Sequence, residues 1–286
     1  MNRTLALLGA LFLASACSSS STTDAGGGTT GGSGTTTTGG TTGGITPVAR
    51  MRVAELLPNA QPFDYCVAAT GTQNYIGPVM SGRSAYGGLT FPSVSDYLSL
   101  TPGTYDLAFV PPGSLDCSLP QPDAGYLAVT TLPAFAESTS YTVALIGLTN
   151  SLTVKTLTDD TSTAAPASLR FISAKLGSTP LYMTANNASI FSNVSYATVP
   201  AMTSTINANG YVALSNSGTF QLTVAEQGSS TPLLVAPGIT FTGGSYNTVF
   251  TIAPPSGYPG TLTAFVCFDS LQPSQGLTSC FAFPAP

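Results

Sequence analysis

The sequence predicts an all-β fold: two tandem antiparallel β-sandwiches of Ig-like, Greek-key type behind a disordered linker. Three observations carry this. Apolar residues recur with period two, as in Tyr105, Leu107 and Phe109 and again in Phe220, Leu222 and Val224, the signature of half-buried strands. Thirty Gly and 22 Pro are spread through 286 residues and leave no long helical window. The same landmarks occur twice in the same order, which points to duplication.

The chain opens on Arg3, an apolar run from Leu5 to Leu13, and the small residues Ala14, Ser15 and Ala16. This is the order of a secretory signal peptide, and the run is too short for a spanning helix of about 20 residues. Cys17 follows. The stretch Leu13-Ala14-Ser15-Ala16-Cys17 resembles a bacterial lipobox, which implies cleavage after residue 16 and acylation of Cys17. Two or more acyl chains anchor stably where one does not. Ser18 after the cysteine points to outer-membrane sorting. Residues 18–44 are Ser, Thr and Gly except for Asp24 and Ala25. Such a segment cannot offset its ordering entropy, so residues 17–46 read as the lipidated cysteine plus a disordered tether, with a reach of roughly 30 Å. The string Gly26–Gly31 fits a dinucleotide-binding pattern formally, but no strand precedes it and no helix follows.

The remainder reads as two sandwich domains, 47–162 and 163–286. Arg52 and Arg170 open the copies, 118 residues apart; Tyr105 and Phe220 follow at 115, and Tyr141 and Tyr246 at 105. Tyr97 to Leu107 and Tyr211 to Leu222 align as blocks. Pro102-Gly103 and Ser217-Gly218 read as hairpin turns. Asp159 to Pro166 is the natural joint between copies, and its two aspartates read as solvated or, less simply, as calcium ligands. Arg52 and Arg170 read as outward strand residues.

Apart from Cys17 the cysteines are Cys66, Cys117, Cys267 and Cys280. An even number in an exported chain predicts disulfides. Of three possible pairings, Cys66–Cys117 with Cys267–Cys280 respects the domain boundary. No C-x-x-C spacing or His suggests a metal site instead.

Arg50-Met51-Arg52-Val53 through Pro58-Asn59-Ala60, then Pro102-Gly103-Thr104-Tyr105, then Ser140-Tyr141-Thr142-Val143 with Gly147, then Thr158-Asp159-Asp160-Thr161 recur in an order that resembles the domain-of-unknown-function 4397 family. The resemblance covers residues 48–162 well and 166–270 more weakly. The family's opening stretch usually carries a His, which is absent here. The resemblance implies a secreted or lipid-anchored bacterial protein and carries no catalytic residue over.

Composition narrows the chemistry further. Charged residues make up 7% of the chain, against about 25% in typical domains, with 7 Lys+Arg, 12 Asp+Glu, no His and no Trp. No basic footprint exists for nucleic acid. The absent His removes the usual base of Ser and Cys nucleophiles. Gly82 to Gly87 misses a nucleophile elbow by one residue. The first-copy acids Glu55, Asp64, Asp96, Asp106, Asp116, Asp123 and Glu137 could supply a glycosidase pair, but most fall beside turns or on outward strand positions. Tyr75 and Tyr86, in the Gly-rich segment 71–88, are the candidate ligand-binding aromatics, with Tyr258 a third exposed candidate. The reading is a non-catalytic cell-envelope lipoprotein, without cofactor. Its partners are the lipid bilayer through acylated Cys17 and an extracellular glycan or protein. It belongs to the outer membrane, on its periplasmic or surface side. The alternatives are a carboxylate-based glycan hydrolase and a purely structural envelope or matrix component.

Overall fold

A computed structural model of the chain describes residues 48–81, 87–118, 127–162, 166–269 and 279–283. The signal peptide, Cys17, the tether, Tyr86 and Asp123 lie outside the described residues. The described part falls within one compact unit, Ile45–Pro286. It is all-β. The first half contains β1 (Ala49–Leu56), β2 (Asp64–Ala69), β3 (Ser93–Val94), β4 (Leu98–Leu100), β5 (Tyr105–Val110), β6 (Thr130–Thr131), β7 (Ser140–Leu148) and β8 (Ser151–Asp159). The second contains β9 (Ser168–Ser173), β10 (Leu181–Ala185), β11 (Ala188–Val194), β12 (Tyr211–Ala213), β13 (Gly218–Glu226), β14 (Pro232–Phe241), β15 (Tyr246–Ile252), β16 (Thr263–Phe268) and β17 (Cys280–Phe283).

Each half is a sandwich of two sheets. In the first, β3-β1-β7-β8, with β4 also on β1, faces β2-β5-β6; in the second, β12-β9-β15-β16-β17 faces β11-β10-β13-β14. Period two explains the cores. Met51, Val53, Tyr105, Leu107, Phe109, Val143 and Leu145 fill the first. Leu169, Phe171, Phe220, Leu222, Val224 and Val249 fill the second. Most pairings are antiparallel, but β1 runs parallel to β7 and β9 parallel to β15. Between β1 and β7 the chain leaves the sheet, builds the facing one and returns, and so long a connection permits a parallel entry. For the same reason Pro102-Gly103 and Ser217-Gly218 are not hairpin turns. They carry the chain from one sheet to the facing one, from β4 to β5 and from β12 to β13.

The two sandwiches share a third core. Ala54, Leu56, Ala144, Ile146 and Leu157 of the first half meet Ile172, Phe250, Ile252, Phe265 and Cys267 of the second. The central sheets of the two halves therefore pack against each other, and the protein is four layers deep. The outer faces of β1 and β7 are buried as fully as their inner faces. Disulfides join Cys66 to Cys117 and Cys267 to Cys280.

Candidate functional site

The densest ionisable cluster among the described residues lies in this shared interface. Register places it. Arg52 on β1 stands beside Thr142 on β7, and Arg170 on β9 stands beside Thr248 on β15. Tyr211 pairs with Arg170 on its other side. Tyr97, one residue before β4, sits at the matching position in the first half, since Leu98 pairs with Met51. Asp159 ends β8, two residues past Leu157, the partner of Thr142; Asp269 follows β16, two residues past Cys267, the partner of Thr248. Each half thus supplies one Arg, one Thr, one Tyr and one Asp. The register also corrects the alignment of Tyr141 with Tyr246: Tyr141 matches Asn247, at a spacing of 106, because Thr142 matches Thr248.

The charges pair across the interface. Arg170 Nη2 donates to Asp159 Oδ1 at 2.5 Å, and Arg52 Nη2 donates to Asp269 Oδ1. Each arginine also donates to a backbone carbonyl of the other half: Arg52 Nη1 to Phe268 at 2.8 Å and Arg170 Nη1 to Thr158 at 2.7 Å. Within its own half each Arg Nε donates to its threonine, Thr142 at 2.8 Å and Thr248 at 3.1 Å. Each threonine hydroxyl in turn donates a hydrogen bond to an aspartate: Thr142 to Asp159 at 2.6 Å, Thr248 to Asp269 at 2.7 Å. The tyrosine hydroxyls add a donor to each carboxylate, Tyr97 to Asp159 at 2.8 Å and Tyr211 to Asp269 at 2.7 Å. The guanidinium carbons lie 4.7 and 4.6 Å from the Tyr97 and Tyr211 ring centres, a cation–π geometry.

Water does not reach most of this. Arg52, Arg170 and Asp269 are 0% exposed and Asp159 is 5% exposed; Tyr97 alone of the eight is half-buried. Burial opposes both guanidinium charges, but the facing tyrosine and the two aspartates outweigh it and hold both arginines above their ordinary range. Burial first, and the aspartates second, push the Tyr97 and Tyr211 hydroxyls up, so both remain protonated donors. Two cations meet two anions, and every polar atom has its partner. The arrangement is a brace between the halves.

The expectation that Arg52 and Arg170 mark outward, solvated strand faces is therefore corrected. They do point away from their own sandwich cores, but the other half covers that face. Asp159 is likewise buried rather than solvated. Asp160 accepts from Asn207 at 2.8 Å and Asn209 at 2.7 Å, tying the joint to the loop before β12. Among the described residues no group of three potential metal ligands gathers.

Two first-half acids also depart from the expected solvated placement. Glu55 is 1% exposed on β1, on the parity of Met51 and Val53. Burial raises its pKa to about 8, a backbone N–H from Leu57 pulling the other way, and Oε2 has no hydrogen-bond partner. Asp64 is buried at the start of β2, where Oδ1 accepts from the backbone of Tyr65 at 2.6 Å and Met80 at 2.8 Å; burial raises its pKa, those backbone donors lowering it. Asp64 has the parity of Cys66 and Ala68, away from the first core, so the β2 sheet stands between the two carboxyls. Asp106 accepts from Thr131 at 2.7 Å, and Asp116 and Glu137 are exposed.

Tyr75 does not project from its loop. It is half-buried against Cys66, Ala108, Val110 and Cys117, while its neighbour Ile76 is 56% exposed. Tyr258 is half-buried as well. A cleft of about 270 Å³ beside β11 is lined by Ser192, Asn193, Thr198, Val199 and Thr203 among others, with no ionisable side chain.

No curated protein matches the chain. Among solved structures, a candidate cell adhesion protein of Bacteroides fragilis aligns over 76% of this chain and 96% of its own, at 12% identity and a TM-score of 0.17. Residues 49–177 match the family model of DUF4397, a domain of unknown function; the match runs past the first half into β9 and takes in Arg52, Tyr97, Thr142, Asp159 and Arg170.

Proposed function

We propose that the chain is a non-catalytic lipoprotein of the bacterial cell envelope that presents a rigid double sandwich as a binding or surface-organising module. One observation supports this most: among the described residues the densest set of ionisable side chains is spent on bracing the two halves, with both arginines and both aspartates buried and paired. Catalytic groups need the opposite, a titratable pair open to a cleft. The signal-like start and Cys17 supply the anchor, and residues 18–44 the spacer.

Labelling cells with radioactive palmitate tests the anchor. Wild type incorporates label and fractionates with membranes, and Cys17→Ser does neither. Protease added to intact cells then reports the side: digestion of the sandwiches places the module outside, and protection until the outer membrane is opened places it in the periplasm. A Cys17→Ser protein that stays membrane-bound overturns the anchoring.

A further inference from the structure

Sheet edges are ready-made templates for another strand, and proteins usually guard them. Among the described residues β8 pairs with β7 alone, in an unbroken register of nine pairs from Ser140 with Asp159 to Leu148 with Ser151. Several other edges among the described residues are blunted. Strand β14 carries Pro232, Pro237 and two register shifts, β11 two register shifts, and β3 and β6 have two residues each. Strand β8 has no proline and reads Ser-Leu-Thr-Val-Lys-Thr-Leu-Thr-Asp, with Val154 and three threonines as strand formers and Lys155 as the charge at the middle of its edge.

In the second half the same edge is covered. Strand β16 holds the place of β8, with Cys267 matching Leu157 and Asp269 matching Asp159. Strand β17 pairs along it, Phe283 opposite Ala264, Ala282 opposite Phe265 and Phe281 opposite Val266. Phe281 and Phe283 pack onto the second core. The first half lacks this strand among the described residues. Leu152 and Val154, which pack onto the first core, stay half-buried. Lys155 takes the place of Phe265, and no described carboxylate pairs with it.

We propose that the β8 edge docks an extended segment of another polypeptide, added antiparallel where β17 lies in the second half, with an acidic residue opposite Lys155 flanked by apolar residues opposite Val154 and Thr156. Main-chain hydrogen bonds would give the affinity and these side chains the selectivity. A second copy fits poorly: twofold pairing of β8 with itself about its centre sets Lys155 against Lys155, and Cys280 holds β17 to its own β16. Residues 18–44 offer a single acid, Asp24, and no alternating apolar residues.

The proposal rests on the binding-module reading for the kind of partner. Its test is made in solution on the full chain carrying Cys17→Ser, so it and the anchoring experiment fail separately. The probe is a synthetic peptide, Val-Thr-Phe-Glu-Phe-Thr-Val, titrated by fluorescence anisotropy, with a backbone N-methylated version as control. Expected are saturable binding, loss of binding on N-methylation, and at least tenfold slower amide exchange within 152–158. Lys155→Glu weakens the complex at least tenfold, and a peptide with Lys in place of Glu restores it on that variant. Absence of saturable binding, binding that survives N-methylation, or protection confined to other strands overturns the assignment.

Discussion

Replacing Arg52 with Met is the sharpest test of the brace. The change keeps an unbranched apolar stem but removes donations to Thr142, the Phe268 carbonyl and Asp269, along with the contact over Tyr97. Asp269 keeps the hydroxyls of Thr248 and Tyr211 but loses its nearest cation. Removing one partner of a buried pair costs about 3–5 kcal/mol, because the other charge stays buried. Whole domains are stable by about 5–15 kcal/mol, so the loss is a large share. With m about 2–3 kcal/mol/M in urea, the midpoint falls by about 1–2 M. The chain has no Trp and 12 Tyr, so far-UV circular dichroism and Tyr fluorescence are the probes. Arg170→Met has the same surroundings in repeat and should cost a similar amount. A double-mutant cycle of Arg52→Met with Asp269→Leu isolates the link between halves, with an expected coupling of about 1–3 kcal/mol. A coupling below about 0.5 kcal/mol, or a single-mutant loss under about 1 kcal/mol, would refute the reasoning.

Three further perturbations follow from particular contacts. The Glu55 carboxyl rises from 4.5 unfolded to about 8 folded, so the fold favours its protonated form: stability is full below pH 4.5, falls by up to about 1.4 kcal/mol per pH unit between the two values, and levels about 5 kcal/mol lower above pH 8. Urea midpoints of Glu55→Gln taken across that range should be flatter than wild type; parallel curves would show that Glu55 is solvated. Cys66→Ala opens a crosslink with a separation of 51 residues and Cys267→Ala one of 13, worth about 4 and about 3 kcal/mol in the chain-entropy account; thermal unfolding of the two variants should rank them in that order. Gly147, at φ 109°, lies near the end of β7 opposite Leu152, and a Cβ there would lie 2.6 Å from the Ser151 carbonyl oxygen. Gly147→Ala should cost about 1–3 kcal/mol, read as a lower melting temperature, and an unchanged melting temperature would contradict the close approach.

Much of this architecture was legible in the chain itself. Alternation at Tyr105, Leu107 and Phe109 and at Phe220, Leu222 and Val224 marks core-facing strand residues whatever sheet they join. The repeated landmarks, Arg52 with Arg170 and Tyr97 with Tyr211, mark equivalent places in the two halves. These are local properties: a strand's side chains alternate because of backbone geometry, and the landmarks keep their order along the chain.

The unalternated runs were the missed signal. Val143-Ala144-Leu145-Ile146 is apolar at every position, as are Ala54 and Leu56 on the face of β1 that carries Arg52, and such runs belong to strands covered on both faces. A period-two pattern says that two faces differ and is silent on what covers the second. Only the stacking of one central sheet on the other decides that Arg52 meets Asp269, 217 residues away, rather than water. The same holds for Glu55, whose burial depends on the facing sheet, and for β8, whose open edge is visible only beside the covered edge of β16. Strands and crosslinks could be read from the chain alone because each follows from neighbours along the chain or from paired residue types. The tertiary structure alone decided which polar residues are desolvated, because desolvation depends on what distant segments bring to the other side.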